Sequence, residues 1–269
     1  MGSERSAESK NRPEMILIRL RTWIKNMKEN KKKNLTEKVT AIVLAAGRGL
    51  RMRSAILKPY LDLGGKPLIT YALKAFEDSE VHDVFLVAGK EEVDYIRKEI
   101  VESYGFRKVK QIVVGGCERY ESVYRGLCAA ASGESPGDYV LIHDGARPFI
   151  SPAKIGSCIR EVKESKACVM GMPVDDTIKI IDSNNVAVFT PERKTLWRIQ
   201  TPQCFLLSEI HEAYHKMMEA GDTRMTDDAM VMEEYGRRKV KVIPGGYDNI
   251  KITKPEDLVF GEAMLRNEL

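Results

Sequence analysis

The stretch VTAIVLAAGRGLRM, residues 39–52, decides the fold class of this chain. Its first six residues form a short apolar run, which is typical of a buried β-strand. The segment that follows is rich in small residues, whose backbone N–H groups can approach phosphate oxygens closely. Ligands of open α/β sheets bind beyond the carboxyl ends of the strands, which is where this segment begins. The stretch therefore predicts an α/β sheet with a phosphate-binding loop.

Two familiar phosphate-binding patterns are absent from this loop. A dinucleotide fingerprint needs glycine at position 52, where the chain has Met52, and a P-loop needs Gly-Lys followed by Ser or Thr. Two cations, Arg51 and Lys58, lie close to the loop in sequence and favour an anionic ligand. A lone Gly-x-Gly is a weak signal, so a structural turn without a ligand is the alternative.

The rest of the chain supports the same fold class. Short apolar runs at 39–44, 84–87, 109–114, 139–142, 167–172 and 240–243 alternate with helical patterns at 68–77, 91–103, 122–131, 153–164 and 207–220. This alternation predicts a three-layer α/β sandwich with a mostly parallel, Rossmann-like sheet. Residues 174–197 break the rhythm with two extended segments around Ser183-Asn184-Asn185, which predicts an inserted β-hairpin arm that serves as a lid or a dimerisation element.

Composition and charge exclude several classes of protein. The 269 residues carry a net charge of +4, but residues 1–38 carry +6 and the remainder −2, so the folded part lacks the basic surface of a nucleic-acid-binding protein. No run of 18 apolar residues occurs, which argues against stable membrane insertion. The five cysteines are an odd number without a C-x-x-C pair, which predicts reduced thiols and a cytoplasmic location rather than disulfides or a zinc ribbon.

Residues 1–37 form a basic N-terminal extension that precedes the α/β pattern. A polar tail is followed by apolar residues at helical spacing between 16 and 27, with Arg and Lys between them. One interpretation is a helix that docks on a membrane surface or a partner. The other is a helix that packs on its own domain or is a dispensable extension.

Several further blocks, taken together, resemble one family. They are Ala45–Met52, Lys58–Leu61, Gly65–Leu68, Gly115–Arg119, Ser122-Val123, His143–Pro148, Pro173–Thr177, Arg193, Thr201–Gln203, Thr226–Asp228 and Asp248–Lys251. Their order resembles that of the nucleotidyltransferases acting on sugar phosphates, and most closely the 2-C-methyl-D-erythritol 4-phosphate cytidylyltransferases of the non-mevalonate isoprenoid pathway. The resemblance covers residues 39–269, so a cytidylyltransferase domain is expected at 38–269, with the arm at about 174–197.

The resemblance implies an enzyme that transfers CMP from CTP to a polyol phosphate and releases pyrophosphate. A phosphate oxygen of the polyol phosphate attacks the α-phosphorus of CTP in line, so positioning and charge stabilisation do the work. It also implies Mg²⁺ or another divalent cation as cofactor. The arm is expected to cross to the second subunit of a homodimer, placing Thr177 and Arg193 in the neighbour's site.

The family's functional residues match positions of this sequence. The catalytic cations implied are Arg51, Lys58, Arg193 and Lys251. The residues implied to bind CTP are Ala45, Ala46, Gly47, Gly49, Gly116, Arg119, Ser122, Asp144 and Gly145. The polyol phosphate is expected to contact Arg147, Thr177, Arg193, Thr226, Asp248 and Lys251. Asp144 is the one metal ligand implied, with Mg²⁺ held mainly by triphosphate oxygens.

Three alternatives compete with this interpretation. A ribitol 5-phosphate cytidylyltransferase or a non-catalytic nucleotide-binding relative would carry similar motifs. The run His211–His215 matches the zinc-protease pattern H-E-x-x-H, but no third ligand is recognisable, and an ordinary amphipathic helix is the favoured explanation. The chain also departs from the family at Leu57-Lys58-Pro59, where proline removes a backbone donor, and at Cys117, where a polar residue is common.

Overall fold

The computed structural model describes residues 37–47, 58–132 and 136–266. The elements below belong to the compact unit that begins at Lys38. The helix predicted between residues 16 and 27 and most of the predicted phosphate-binding loop lie outside the described residues. Within the described residues no helix is long and apolar enough to cross a membrane.

A seven-stranded sheet forms the centre of this unit. Its strands are β1 (Val39–Leu44), β4 (Asp83–Ala88), β5 (Val109–Val114), β6 (Tyr139–Asp144), β7 (Ala167–Pro173), β10 (Trp197–Leu206) and β11 (Lys241–Pro244). They lie in the order β11-β7-β10-β6-β1-β4-β5. Strand β10 is antiparallel to both of its neighbours, and every other pairing in the sheet is parallel. The predicted mostly parallel sheet is confirmed.

Two small ribbons accompany the central sheet. Strands β2 (Asp62–Leu63) and β3 (Lys66–Pro67) form one of them, and β8 (Ile180–Ile181) and β9 (Ala187–Phe189) form the other. The second ribbon lies in the segment between β7 and β10 and is the hairpin that the sequence predicts. Its turn is closed by Asp182, whose side chain accepts hydrogen bonds from the backbone N–H groups of Asn184 and Val186 at 2.9 Å each.

Helices cover both faces of the sheet, which makes the predicted three layers. The helices are α1 (Ile69–Glu77), α2 (Val93–Tyr95, which continues as a π-helix over Ile96–Glu102), α3 (Arg119–Ala131), α4 (Pro152–Ser165), α5 (Leu207–Ala220), α6 (Asp228–Glu234) and α7 (Pro255–Leu265). Helices α1 and α4 pack on one face, and α3, α5 and α6 pack on the other. Strand β1 is buried on both sides, because Ala41 and Val43 join the first core and Ile42 joins the second.

Candidate active site

The site lies at the edge of the sheet where the parallel strands end. Besides the arm, five loops leave this edge, beginning at Ala45 after β1, Gly89 after β4, Gly115 after β5, Gly145 after β6 and Gly245 after β11. Because β10 is antiparallel, its first residues reach the same edge, and the arm of residues 174–196 starts and ends there. A sheet of this topology binds its ligands at this edge.

Three residues predicted to bind CTP, Ala46, Gly116 and Ser122, lie next to one another here. Ser122 Oγ accepts a hydrogen bond from the Gly116 backbone N–H at 3.1 Å. A Cβ on the neighbouring Gly115 would lie 2.6 Å from the Ala46 Cβ and 2.8 Å from Ser122 Oγ, so only glycine fits between them. Gly116 is equally confined, because a Cβ there would lie 2.3 Å from the Glu121 Cβ. The loops after β1 and β5 therefore meet through small residues and leave backbone groups to face a ligand.

The loop after β1 also meets the turn after β6. The backbone N–H of Gly145 donates to the Leu44 carbonyl at 2.9 Å. A Cβ on Gly145 would lie 2.3 Å from Ile69 Cδ1 and 2.8 Å from the Leu44 oxygen. Glycine at 145 therefore brings the predicted nucleotide loop and the acidic end of β6 side by side.

Asp144 is the carboxylate at the centre of the site. It ends β6 and is only 8% exposed. Lys251 Nζ lies 2.7 Å from its Oδ2, Arg119 Nε lies 3.3 Å from its Oδ1, and Arg147 Nε lies 4.0 Å from its Oδ2. Burial alone would raise the pKa of Asp144, but the three cations outweigh burial and hold the pKa well below its usual range. Asp144 is therefore an ionised hub around which cations are arranged.

Arg119 connects Asp144 to a second buried carboxylate. Its Nη1 and Nη2 donate to Asp228 Oδ1 and Oδ2 at 2.8 Å each, and the Tyr214 hydroxyl donates to the same Oδ1 at 2.6 Å. Burial would lower the pKa of Arg119, yet Asp228 and Asp144 raise it well above its ordinary value. The guanidinium is held by two acids at once, so its position is fixed before any ligand arrives.

Lys251 reaches Asp144 from a segment that is itself tied to the sheet. The carbonyl of Asn249 accepts from Arg147 Nη1 at 2.8 Å, and Asn249 Nδ2 donates to the Thr201 carbonyl at 2.8 Å. The backbone N–H of Ile252 donates to the Ala146 carbonyl at 2.9 Å. The lysine side chain remains 38% exposed, so its ammonium group is both fixed by Asp144 and accessible to a ligand.

The remaining predicted residues are less closely connected to Asp144. Thr177 and Arg193 lie exposed in the arm, where Arg193 Nη1 donates to the Asp175 carbonyl at 3.0 Å. Thr226 lines a cavity of about 130 Å³ together with Arg119. Asp248 is half exposed and forms an ion pair with Lys154.

Several predictions fall where the structure gives no side chain. Gly49 and Arg51 lie outside the described residues. Lys58 begins a short 3₁₀ helix, Lys58–Tyr60, and only its backbone is described. The roles predicted for these three residues stay predictions, while Ala45 and Gly47 lie in the described part of the loop.

Sequence reasoning missed the buried polar residues that hydrogen-bond to the residues of the candidate site. Asp228 is buried and pairs with Arg119 across 109 positions of sequence. His143 and Thr201 are also buried and hydrogen-bond to each other at 3.0 Å. All three lie in blocks that carry the family resemblance, so the signal was present, but their partners depend on the fold.

The charges of this cluster define the kind of ligand it suits. Arg119, Arg147 and Lys251 supply three positive charges against the two negative charges of Asp144 and Asp228. The surplus is positive and lies at the carboxyl edge of a parallel sheet, beside a loop of small residues. An arrangement of this type places anionic groups such as phosphates and stabilises charge that develops on them. Fold and site together define a nucleotidyltransferase of the α/β class.

Comparison with known proteins identifies the family. The sequence profile described as 2-C-methyl-D-erythritol 4-phosphate cytidylyltransferase matches residues 39–267. Curated proteins of that name from Lachnoclostridium phytofermentans and Lachnospira eligens are 48% and 49% identical to this chain. The first alignment covers 86% of this chain and 97% of the relative, and the second covers 84% and 99%.

Solved structures agree with the sequence comparison. The 4-diphosphocytidyl-2C-methyl-D-erythritol synthase of Anaerococcus prevotii matches with a TM-score of 0.74 at 34% identity, over 86% of this chain and 96% of that one. The 2-C-methyl-D-erythritol 4-phosphate cytidylyltransferase of Thermus thermophilus matches with a TM-score of 0.66 at 27% identity, over 84% and 98%. The chain belongs to the 2-C-methyl-D-erythritol 4-phosphate cytidylyltransferase family.

Proposed function

We propose that this chain transfers CMP from CTP to 2-C-methyl-D-erythritol 4-phosphate, and that Asp144 and the cations around it form the reaction centre. The observation that carries the proposal is the ionised, buried Asp144, which holds Lys251 and Arg119 at the sheet edge beside the nucleotide loop. Family membership gives the reaction, and the cation cluster gives it a location in this chain.

The reaction needs no covalent enzyme intermediate. An oxygen of the polyol phosphate forms a bond to the α-phosphorus of CTP, while the bond from that phosphorus to the bridging β-phosphate oxygen breaks and pyrophosphate leaves with its electron pair. Both reactants are anions, so the enzyme must offset their repulsion and stabilise charge on the five-coordinate phosphorus. Lys251 and Arg193 hold the attacking phosphate in this proposal, with Arg147 also in contact with the polyol phosphate, and Arg51 and Lys58 hold the triphosphate.

CTP recognition relies on the loops after β1 and β5. Backbone groups of Ala46 and Gly116, together with Ser122, read the edge of the cytosine in this proposal. Polar groups matched to one base edge reject other bases because a wrong base leaves them unpaired. The contact of Gly116 with Ser122 supports the proposal, since it fixes the hydroxyl beside the loop.

Mg²⁺ is proposed as cofactor, although the described residues offer it few protein ligands. Among the described residues no group of three His, Cys, Asp or Glu side chains is arranged to hold a metal ion. Asp144 offers the carboxylate oxygen that Mg²⁺ prefers, but Lys251 and Arg119 already contact its two oxygens. The ion would therefore be held mainly by triphosphate oxygens with Asp144 as its protein contact, and would neutralise charge on the phosphates.

A homodimer is proposed through the arm. Strands β8 and β9 carry exposed apolar residues. Ile181, Val188 and Phe189 are each more than half exposed. Such a patch on a thin hairpin favours burial against another protein surface. A second copy would bury this patch and receive Thr177 and Arg193 in its own site. A cytoplasmic location stays a prediction, supported by the five free cysteines.

Pyrophosphate release tests the proposed function directly. Purified protein with CTP and Mg²⁺ is offered 2-C-methyl-D-erythritol 4-phosphate or ribitol 5-phosphate in parallel reactions. We expect pyrophosphate with the first acceptor at a kcat/KM far above that with the second. Turnover with ribitol 5-phosphate alone would reassign the acceptor, and CTP binding without turnover on either would refute the enzymatic proposal.

A further inference from the structure

His143 is a buried titratable residue that the proposed reaction does not use. Of the four histidines in the chain, all of them described, it is the one whose side chain is fully buried. Its ring packs edge-on against Phe76, with 5.4 Å between ring centroids. A buried polar ring beside the central carboxylate calls for a reason beyond core packing.

The hydrogen bonds of His143 define one donor order. Nε2 lies 3.1 Å from the Arg147 carbonyl oxygen, which can only accept, so Nε2 carries the proton. Nδ1 lies 3.0 Å from the Thr201 hydroxyl, which has one proton to donate, so we assign Nδ1 as the acceptor. The same hydroxyl oxygen accepts from the backbone N–H of Asp144 at 3.1 Å. The chain of donors therefore runs from Asp144 through Thr201 to His143 and on to Arg147.

This chain holds the two ends of the turn that carries the central carboxylate. The pairing between β6 and β10 ends at Ile142, so the Thr201 hydroxyl takes over where the ladder stops and fixes Asp144. His143 fixes the other end of the turn through the Arg147 carbonyl. The Thr201 carbonyl in turn accepts from Asn249, two residues before Lys251. The buried pair of His143 and Thr201 thus helps to fix the positions of Asp144, Arg147 and Lys251.

We propose that His143 and Thr201 are positioning residues, which set the placement of Asp144 and through it the placement of Lys251. The inference rests on the proposed function, since it concerns the same site. Its physical basis is that in-line transfer between two anions depends on geometry more than on binding. A displacement of the reacting groups by about 1 Å costs about 100-fold in rate. Neither side chain needs to touch a substrate for this role.

Five variants separate the parts of the buried pair. Thr201→Val removes the hydroxyl at nearly constant shape, and Thr201→Ser keeps it. His143→Asn keeps an acceptor near the Nδ1 position, while His143→Gln keeps a donor near the Nε2 position. We expect Thr201→Val to lower kcat about 10- to 100-fold with KM values for both substrates changed less than about threefold, and Thr201→Ser to restore most of kcat. Each histidine variant should retain more activity than His143→Phe.

His82 supplies the matched control. Its Nδ1 accepts from the Val39 backbone N–H at 3.1 Å, at the opposite end of the parallel strands. His82→Asn disturbs an imidazole-to-backbone contact of the same kind away from the site. We expect it to affect thermal stability at most, with kcat unchanged. If the role of His143 were purely structural, its variants would behave like His82→Asn: they would lower thermal stability but leave kcat unchanged in the folded fraction.

A spectroscopic readout keeps this inference separate from the proposed function. In the ¹⁵N-labelled full chain, His143 should show a protonated Nε2 and an unprotonated Nδ1, and the Nδ1 resonance should shift in Thr201→Val. If wild-type protein lacks turnover but keeps this signature, the proposed function fails while the hydrogen-bond order stands. The positioning role is overturned if folded Thr201→Val and His143→Phe keep wild-type kcat, or if their effects add fully in the double variant.

Discussion

The Asp144 cluster and the arm carry the proposed functional residues in opposite ways. Around Asp144, the cations Arg119 and Lys251 are fixed by ion pairs and the supporting polar groups are buried. In the arm, Thr177 and Arg193 are exposed, and the strands beside them turn apolar side chains to solvent. The side chains of the Asp144 cluster are held in place by contacts within the chain, whereas those of the arm would be held only by contact with another protein surface.

This difference teaches where each part of the activity should fail. Pre-organised charges need no rearrangement when substrate arrives, so a change at Asp144 should act on the chemical step. A residue on an exposed hairpin acquires its position from its surroundings, so a change at Arg193 should act through whichever surface the arm meets. Experiments that treat the two regions differently can therefore confirm or destroy the distinction.

Asp144→Asn should have the largest effect. It keeps the size of the side chain but removes the negative charge that Lys251, Arg119 and Arg147 surround. We expect kcat/KM to fall by about 100- to 1000-fold, the scale seen when one preorganised electrostatic contact is lost from an active site. Steady-state pyrophosphate release measures the effect.

The ion pair between Lys74 and Asp78 provides the control for that variant. The Lys74 Nζ and Asp78 Oδ1 atoms are 2.6 Å apart, but both side chains are exposed at the carboxyl end of α1. Asp78→Asn should leave kcat/KM within about twofold and stability within about 0.5 kcal/mol. Equal activity in Asp78→Asn and Asp144→Asn would remove Asp144 from the reaction centre.

Mixing two inactive variants should distinguish the regions most sharply. Arg193→Ala damages the arm, and Lys251→Ala damages the cluster. If the arm serves the partner's site, a mixed dimer has one site in which both parts are intact, so co-refolded mixtures should recover about a quarter of wild-type activity. Lys251→Ala mixed with Asp144→Asn should recover nothing, because both changes damage the same region. Failure of the first mixture to recover activity would place Arg193 in the site of its own chain or outside any site.

Arg119→Lys should have a smaller effect than loss of Asp144. Lysine keeps the charge but cannot donate to both oxygens of Asp228 and to Asp144 at once. We expect about a tenfold lower kcat/KM and a loss of about 1–3 kcal/mol in the free energy of unfolding, as for hydrogen bonds to charged groups. Chemical denaturation followed by circular dichroism gives the second quantity.

Arg224→Lys is the matched control for Arg119→Lys. Arg224 also donates through two nitrogens to one carboxylate, Asp222, at 3.0 and 2.8 Å, but its side chain is 77% exposed. Stability should change by less than about 0.5 kcal/mol and activity should not change. Similar losses in both variants would mean that burial of the Arg119 contact contributes nothing.

The central fold could be predicted from sequence because its strands are buried on both faces. The predicted bounds of β1, β5 and α5 coincide with those observed, at 39–44, 109–114 and 207–220. Strand β10 was not predicted, because polar residues such as Thr201 and Gln203 interrupt its apolar pattern. Both of these side chains are buried and satisfied by hydrogen bonds to distant residues, which no local pattern reveals.

The position of Asp144 within the candidate site could be predicted for a related reason. Asp144 follows an apolar run, so its place at the carboxyl edge follows from the sequence. The contacts that define its charge state come from Arg119, 25 positions earlier, and from Lys251, far later in the chain. Asp228, the second acid of the cluster, lies on α6. That helix is too short to give a recognisable helical period, so the sequence did not indicate that Asp228 pairs with Arg119.

The smallest effect on the folded unit is expected from the arm itself. Val188 is 61% exposed on β9 and makes no contribution to either main core, so Val188→Ser should leave the free energy of unfolding of the chain within about 0.5 kcal/mol. If a second copy covers the arm, each dimer buries two copies of Val188, and each buried valine is worth about 1.5 kcal/mol or more, so the same change should raise the dimer dissociation constant about 100-fold. Specific activity should then fall on dilution, while it stays unchanged at high protein concentration.

Val259→Ser on α7 tests whether this effect belongs to the arm. Val259 is 67% exposed, so the two substitutions remove the same side chain from similarly exposed positions. Analytical ultracentrifugation across a dilution series, with activity measured on the same samples, should show a shifted midpoint for Val188→Ser alone. Equal shifts would mean that both surfaces take part in association. No shift in either variant would mean that a second copy does not cover the arm, and the proposed contrast between the arm and the Asp144 cluster would fail.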